Sequence, residues 1–481
     1  MTIAIHHTQV EDCVDDILKI IGNDIRIGLP LGLGKPPELI NALYQRAKAD
    51  PSIRLLIATA LSLEVPDPGT GLQKRFLGPF MERIFGNYPG LDYMRDLRAG
   101  KVPDNIEIHE FFFKSGAMLN NDLAQQNYIS TNYTHSVRDL LALDINVIAQ
   151  LLAHRVEDGK DRYSMSCNPE TTRDLLPALQ ARKKQGEPIL IIGQVNENLP
   201  FMENDALIEE DCFDMVVNNK AYYSTLFAPP NMPVSTIDHM IGLYASTLIA
   251  DGGTLQIGIG SLGDAIVYGC EIRHQQNDAY NGVLKDLNIL DKFGNTIHKL
   301  GGTGTFEQGL YGNSEMFVDG FYYLIKTDIL RRRVFDHEGI QRLLNESKIN
   351  TDVSIETLDA LIDGGYIQPV LTREDVDTLV HFGLFKPGTK LDNDALVTPQ
   401  GEHVSAAVDQ SRDIIISQCL GHSLQHGRIM HGGFFLGPKS FYDGLKNLDE
   451  DTLRAINMTN TKTPRGFQVK IRSFVYQTAV D

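Results

Sequence analysis

The stretch that decides the fold runs from Asn146 to Asn196: "NVIAQLLAHRVEDGKDRYSMSCNPETTRDLLPALQARKKQGEPILIIGQVN". It opens with the apolar run "NVIAQLLA" and closes with "PILIIGQVN", and each run has the length of a buried strand. Between them, "NPETTRDLLPALQARKKQG" predicts a helix, because Asn168 is a candidate N-cap, Pro169 suits the first turn and Gly186 suits the end. A strand, a helix and a second strand at this spacing predict a mainly parallel α/β sheet.

The order of strand, glycine-rich loop and helix occurs at two other places. One is "IRIGLPLGLGKPPELINAL", which begins at Ile25, and the other is "GTLQIGIGSLGDAIVYGC", from Gly253 to Cys270. The run "RLLIATAL" at residues 54–61 predicts one more buried strand. Because "FAPPNMPVS" at residues 227–235 has the composition of a connection, we expect one α/β domain at residues 1–230 and a second at 231–481.

Composition narrows the class of protein. The chain has 481 residues, of which 42% are hydrophobic, and this is enough for two or three domains with proper cores. No apolar run reaches the ~18 residues of a membrane span, and no signal peptide is visible at the start. The five cysteines form no C-x-x-C pair, which is typical of a reducing compartment. A formal charge of −18 argues against nucleic-acid binding, so we expect a cytoplasmic protein that handles small molecules, with no membrane partner.

The second glycine-rich loop matches the pattern G-x-G-x-x-G at Gly258, Gly260 and Gly263. Glycines allow positive φ angles and a close approach to the backbone, and the N-terminus of the helix that follows favours a phosphate. Binding of NAD also requires an acid about 20 residues later at a strand end, and Asp286 and Asp291 lie near that distance. Three interpretations stay open: NAD, another phosphate-bearing ligand or substrate cleft, and a tight structural turn.

Two other patterns are weak. The histidines of "GHSLQHGRIMHGG", His422, His426 and His431, have a spacing that could suit a metal. The glycines around them disfavour a helix, and the pattern H-E-x-x-H is absent, so we expect no metal site. A G-x-S-x-G nucleophile elbow is also missing, which disfavours an α/β-hydrolase.

The stretch "LYGNSEMFVDGF", from Leu310 to Phe321, places one acid, Glu315, inside a segment with the pattern of a buried strand. Burial of a carboxylate is unfavourable unless the group is paired, hydrogen-bonded or used in chemistry. Glu315 is therefore a candidate for catalysis or, alternatively, for an ion pair with a nearby arginine.

Several stretches together resemble the acetyl-CoA hydrolase/transferase family of class I CoA-transferases, which includes 4-hydroxybutyrate and acetate CoA-transferase-like proteins. In the second half they are "GTLQIGIGSLGDAI", "GLYGNSEMFVDG" and "GRIMHGGFFLG". In the first half they are "EFFFKSGAMLNNDLAQQNYISTNYTH", "YSMSCNPETTRDLLPAL" and "GQVNENLPFM". The resemblance covers most of residues 25–457, and it implies two related α/β domains of the CoA-transferase (NagB/RpiA-like) type with the active site between them.

The resemblance also implies roles for individual residues. The Glu of the "SEM" segment, here Glu315, is the family's nucleophile, which forms an acyl-glutamyl anhydride and then a glutamyl-CoA thioester. Two glycine-rich segments would supply backbone donors to the oxyanion or to CoA, and the candidates are Gly258, Ile259, Gly260, Gly432, Gly433 and Gly437. The substrates would be an acyl-CoA and a small carboxylic acid, with no permanently bound cofactor, in a homo-oligomer that we expect to be a dimer.

The chain departs from the family at its end. Nothing from Thr461 onward resembles the family's C-terminal segment, which predicts an incomplete second domain. Three hypotheses follow: an acyl-CoA transferase or hydrolase that uses Glu315, an NAD-dependent oxidoreductase that uses the Gly258 loop, and an inactive acyl-CoA-binding remnant. The acyl group, the acceptor acid and the choice between transfer and hydrolysis do not follow from the sequence.

Overall fold

The structure is a computed structural model, and it describes residues 4–131 and 133–459. The strands are β1 (Ile5–His7), β2 (Asp24–Gly28), β3 (Arg54–Thr59), β4 (Ile106–Glu110), β5 (Val147–Glu157), β6 (Lys160–Ser164), β7 (Leu190–Val195), β8 (Leu207–Ile208), β9 (Met215–Val217), β10 (Thr254–Leu255), β11 (Tyr311–Phe317), β12 (Lys390–Asp392), β13 (Ala395–Val397), β14 (His403–Ser405), β15 (Met430–Phe435) and β16 (Ile456–Met458).

The α-helices of the same part of the chain are α1 (Val10–Ile21), α2 (Pro37–Ala49), α3 (Gly71–Phe85), α4 (Asp92–Ala99), α5 (Asp122–Gln126), α6 (Ser136–Ala142), α7 (Pro169–Lys184), α8 (Thr236–Ser246), α9 (Ser261–Gln275), α10 (Asn277–Asp286), α11 (Ile289–Leu300), α12 (Asp319–Lys326), α13 (Glu338–Asn345), α14 (Ile355–Asp363), α15 (Arg373–His381), α16 (Arg412–Ile414), α17 (Lys439–Lys446) and α18 (Glu450–Ala455).

The first sheet has nine strands, and its main path has the order β1-β9-β7-β5-β2-β3-β4 with every pair parallel. Successive residues of β5 pack on opposite faces: Val147 and Ala149 contact the core with α1 and α2, whereas Ile148 and Leu152 contact the core with α7. A strand that is buried on both faces is apolar at nearly every position, which explains the long apolar runs. The predicted mainly parallel α/β fold is confirmed.

The segment from Asn146 to Asn196 largely follows its prediction. The two apolar runs form β5 and β7, and α7 begins at Pro169 between them. Asn168 occupies the N-cap position, but its side chain makes no capping hydrogen bond. The sequence analysis missed a hairpin, in which β5 turns at Asp158 and Gly159, both with positive φ, into the antiparallel strand β6.

The second sheet is parallel and has the order β10-β11-β15-β16. The region of "FAPPNMPVS" contains no helix or strand before α8. Aromatic rings fill the space beside β11, because Phe317 packs against Phe321 of α12 and Phe441 of α17.

The chain divides into two compact units. The first consists of Met1–Arg331 with Met430–Asp481 and contains both parallel sheets, and the second is Arg332–Ile429. The second unit has its own core, built from α13–α15 and the antiparallel sheet β12-β13-β14. Its two ends meet, because the amides and carbonyls of Val334 and Arg428 form reciprocal hydrogen bonds of 2.8 Å. The predicted boundary at residue 230 stays a prediction, and the divergent segment from Thr461 lies outside the described residues.

Within the first unit, side chains join the two sheets. The Asn204 amide donates to the carbonyls of Arg454 (3.0 Å) and Ile456 (2.8 Å) next to β16. The Tyr442 hydroxyl, on α17, donates to the carbonyl of Phe227 at 2.9 Å. These hydrogen bonds hold the second sheet against the segments that follow the first.

Candidate functional site

Glu315 lies on β11, an interior strand of the second sheet. Its side chain is half-buried, between Ser314, which is 1% exposed, and Met316. The register pairs Ser314 with Gly432 and Met316 with Phe434 on β15, so Gly433 is the residue beside Glu315. The structure therefore brings the predicted nucleophile next to one of the two predicted glycine segments.

The other glycine segment lies on the opposite side of β11. Gly258, Ile259 and Gly260 connect β10 to α9, and β10 pairs with β11 in parallel. The Ser314 hydroxyl donates to the carbonyl of Ile257 at 3.3 Å, which places the start of the loop alongside the strand of Glu315. Glu315 thus lies on the middle strand of three, with one glycine segment on β15 and the other in the loop that follows β10.

The glycine loop is open where a ligand would approach. A Cβ at Gly258 or Gly260 would contact nothing within 4 Å, and Ile259 is 59% exposed. Gly260 has a φ of 124°, which L-amino acids with side chains rarely adopt, and it precedes the first turn of α9. Gly263 has a different role: a Cβ there would lie 2.3 Å from the carbonyl oxygen of Gly258, so glycine is required for close packing.

The glycines of β15 and its continuation differ from one another. The carbonyl of Gly432 accepts from the amide of Thr459 at 2.8 Å, and a Cβ on Gly432 would lie 3.1 Å from the Cβ of Phe317. The amide of Gly437 donates to the Tyr442 hydroxyl at 3.1 Å. Gly437 was expected to belong to the oxyanion or CoA site; its amide is bound within the protein, and its role at that site stays a prediction.

An apolar cluster joins the strand of Glu315 to the first sheet. Its buried members are Leu31, Ala60, Phe111, Tyr133 and Phe434, and Leu61, Ile129 and Met316 pack against them. Ala60 and Phe111 directly follow the carboxyl ends of β3 and β4, and Leu31 lies shortly after the carboxyl end of β2. Ligands of open α/β sheets bind at the carboxyl ends of the strands, and here both sheets present those ends to the neighbourhood of Glu315.

A group of buried charged residues lies behind this cluster, and the sequence analysis missed it. Lys35 is 3% exposed, and Glu110 and Glu170 are each 1% exposed. The Lys35 ammonium donates to the carbonyl of Ala60 at 2.6 Å, and burial lowers the pKa of Lys35 although Glu110 opposes this shift. Burial raises the pKa of Glu110, and it raises the pKa of Glu170 to about 8. A buried carboxyl or ammonium group has no sequence signal of its own, since charged residues are ordinarily exposed.

The acids that NAD binding would require are in the wrong places. Asp286 ends α10 and Asp291 lies in the first turn of α11, so neither is at the end of a strand. The ribose contact of the dinucleotide fingerprint comes from a strand end. The Gly258 loop therefore has the glycines of the dinucleotide-binding fingerprint, but the two candidate acids are not at the strand end that the fingerprint requires.

Two of the three histidines have identified partners within their own compact units. The Nδ1 atom of His431 lies 2.6 Å from the Tyr311 hydroxyl inside the second sheet. His426, in the second unit, stacks on His381 with ring centroids 4.6 Å apart. Among residues 4–131 and 133–459, no group of three or more potential metal-ligating side chains occurs.

The chain was compared with known proteins. No family model matches it. A stretch of 79 residues is 35% identical to the 4-hydroxybutyrate coenzyme A transferase of Clostridium kluyveri and covers 16% of this chain and 18% of that protein. The matched part is thus less than a fifth of the curated relative's length.

Two solved structures extend the comparison. A point mutant of the protein RipA has a TM-score of 0.50 at 13% identity, with 94% of this chain and 67% of that chain covered, and this likeness concerns the fold alone. A 4-hydroxybutyrate CoA-transferase from Porphyromonas gingivalis has a TM-score of 0.37 at 17% identity, with 68% and 57% covered, and this score is too low to support an argument.

These findings confirm the predicted resemblance only in its broad form, as similarity to a CoA-transferase over a short segment. Membership of the acetyl-CoA hydrolase/transferase family stays a prediction. In the part of the chain that the structure describes, the helices are too short or too polar to span a membrane.

Proposed function

We propose that this chain is an acyl-CoA transferase or acyl-CoA hydrolase and that Glu315 is its nucleophile. The observation that carries the proposal is the position of Glu315 on a strand with a glycine segment on each side, the Gly258–Gly260 loop and Gly432–Gly433. The short segment of similarity to a 4-hydroxybutyrate CoA-transferase supports the same chemistry.

The reaction would proceed through two kinds of covalent intermediate. The Glu315 carboxylate attacks the thioester carbonyl, and the C–S bond breaks to give an acyl-glutamyl anhydride and CoA thiolate. The thiolate then attacks the glutamyl carbonyl, which releases the first acid as a carboxylate and leaves a glutamyl-CoA thioester. Division of a difficult transfer into such steps is the general advantage of covalent catalysis.

The second half of the reaction reverses these steps. The carboxylate of the acceptor acid attacks the glutamyl thioester and expels CoA thiolate, which attacks the acyl carbonyl of the new anhydride. A new acyl-CoA leaves and the Glu315 carboxylate is restored. In a hydrolase, water takes the place of the acceptor acid, so access of water to the intermediates would decide between the two activities.

The glycine segments would supply the electrostatic part of the catalysis. Each attack creates a tetrahedral intermediate whose oxyanion requires backbone donors at hydrogen-bond distance. Gly258 and Gly260 leave the backbone open, and the N-terminus of α9 adds a favourable dipole for an anion. We propose these amides as donors, with Gly433 as the small residue beside Glu315, the CoA ester as a substrate and no permanently bound cofactor.

The experiment is intact-protein mass spectrometry of the full chain after treatment with acetyl-CoA, with and without borohydride, which reduces a thioester. We expect a CoA adduct on the wild type and on the control Glu82→Gln, in which an exposed acid of α3 is changed, and none on Glu315→Gln. An adduct on Glu315→Gln, or on another residue, would contradict the role of Glu315. Absence of an adduct from the wild type would favour the hypothesis of an inactive acyl-CoA-binding remnant. A dimeric state and a cytoplasmic location stay predictions.

A further inference from the structure

The segment from Ala60 to Ser62, which follows β3, is held by buried charged groups. The Lys35 ammonium donates to the carbonyls of Ala60 (2.6 Å) and Leu61 (3.3 Å). The Ser62 hydroxyl donates to a carboxylate oxygen of Glu110. Leu61 has a φ of 49°, a left-handed conformation that a leucine keeps only when its surroundings enforce it. Lys35 and Glu110 thus fix the two ends of one strained segment.

This segment shares an apolar cluster with the strand of Glu315. Ala60 and Leu61 belong to the apolar cluster that also contains Met316 and Phe434. Met316 follows Glu315 on β11, and Phe434 is its registered partner on β15. A displacement of the segment would therefore be transmitted to the residues next to Glu315.

We propose that Lys35 is a positioning residue, which acts with Glu110 to hold the Ala60–Ser62 segment against the strand that carries Glu315. The inference rests on the proposed function, because it assigns Lys35 a part in the reaction of Glu315. Burial of the Lys35 ammonium group is unfavourable, and an uncharged side chain at this position would avoid that cost. A methionine at this position would fill a similar volume, but it would leave the buried carbonyl of Ala60 and the partly buried carbonyl of Leu61 without their ammonium donor.

The test compares Lys35→Met with the double variant Lys35→Met/Glu110→Gln. The single change leaves the Glu110 carboxylate buried without its cation, so we expect the melting temperature to fall by several degrees. The double variant removes both charges and should recover most of this loss, because a neutral buried pair needs no compensation.

The rate of CoA adduct formation in a single turnover should stay lower than in the wild type by about tenfold or more in both variants. The half-saturating concentration of acetyl-CoA should change by less than about twofold. Small misplacements at a reacting centre have rate effects of this size.

Amide hydrogen exchange gives a second readout, which does not depend on activity. We expect faster exchange at residues 60–62 and 311–317 in the double variant than in the wild type, although its melting temperature is restored. If the wild type forms no adduct, the proposed function fails, and the exchange data alone decide on the positioning role of Lys35.

Recovery of the wild-type rate and of wild-type exchange in the double variant would show that Lys35 acts only through stability, and would overturn the proposal. If Lys35→Met does not fold, Ser62→Ala carries the comparison, because it removes the hydrogen bond that joins the segment to Glu110. The expected result for Ser62→Ala is a folded protein with a lower rate and faster exchange at residues 60–62, and an unchanged rate would again overturn the proposal.

Discussion

The carboxyl ends of the two parallel sheets hold their acids in opposite surroundings. At the first sheet, Glu110 and Glu170 are each 1% exposed, and the positive charge of Lys35 lies close to both. At the second sheet, Glu315 is half-buried between glycine segments in which Gly258 and Gly260 have open space. A buried carboxyl group whose oxygens accept hydrogen bonds from the protein serves structure, whereas a nucleophilic carboxylate must reach its substrate. This difference favours the second sheet as the place of the reaction and the first sheet as the structure that supports it.

The strongest way to break this comparison is to change the acid of the second sheet. Glu315→Gln keeps the shape of the side chain and removes the anionic nucleophile, so we expect adduct formation and turnover to fall by a factor on the order of 10³ or more. Glu315→Asp withdraws the carboxylate by one methylene and should cost about a hundredfold. Both variants should unfold at nearly the wild-type urea concentration.

The alternative role of Glu315, an ion pair, makes the opposite prediction. Loss of one partner of a buried pair lowers the free energy of unfolding by about 3–5 kcal/mol. A loss of that size in Glu315→Gln, with a comparable loss of activity, would assign Glu315 to structure. Urea unfolding of Glu315→Gln, with Glu82→Gln as the control, measures this loss of unfolding free energy.

The next largest effect concerns the glycine loop of the second sheet. Gly260→Val adds a β-branched side chain where the substrate should approach the backbone, at a φ of 124°. We expect turnover to fall by about a hundredfold, which is the size of effect that a displacement of about 1 Å produces. Gly22→Val is the matched control, since Gly22 also has a positive φ of 85° with open space around it, far along the chain from the site. Equal activity of the two variants would reduce the loop to a structural turn.

A smaller effect tests the buried acids at the first sheet. Burial raises the pKa of Glu170 to about 8 from a usual 4.5, so the folded protein holds a proton that the unfolded chain loses as the pH rises. The stabilisation from this proton is fully present below about pH 4.5 and is lost as the pH rises toward 8. Glu170→Gln cannot titrate, and its stability relative to the wild type should increase by about 2–3 kcal/mol between pH 5 and pH 7. Urea unfolding at both pH values measures the change, and a pH-independent difference would show that Glu170 is ionised in the folded protein.

The smallest effect separates the ligand classes. At about ten times its dissociation constant, a ligand stabilises the folded protein by about 1.4 kcal/mol, which corresponds to an increase of only one or two degrees in the melting temperature. We expect such a shift with acetyl-CoA and none with NAD, because Asp286 and Asp291 lie on helices. A larger shift with NAD than with acetyl-CoA would reverse the assignment of the Gly258 loop.

The sequence predicted the parts of the molecule that depend on local pattern. The strands β3, β5 and β7 are continuous apolar runs, and α7 has a proline in its first turn, so each carries its own signal. Gly258 and Gly260 were recognised because a glycine loop between a strand and a helix has few alternatives.

The rest depends on partners that are distant in the chain. Lys35 comes under the electrostatic influence of Glu110 and Glu170 only in the folded chain, so its burial could not be predicted from its neighbours in sequence. The hydrogen bond between the Gly437 amide and the Tyr442 hydroxyl could not be predicted either, because it depends on the packing of α17. The unit at residues 332–429 was not separated, since amphipathic helices have the same pattern in either unit.

The meeting of Val334 and Arg428 has a consequence for the order of folding. The strands β11 and β15 pair side by side, although the whole of the Arg332–Ile429 unit lies between them in the chain. A disordered connection of this length would raise the entropy cost of loop closure, by about 0.6 kcal/mol for each doubling. Once the unit has folded, its ends are joined by the two Val334–Arg428 hydrogen bonds, and the long connection behaves as a short one. Early folding of this unit would then lower the kinetic barrier to the pairing that places Glu315 beside Gly433.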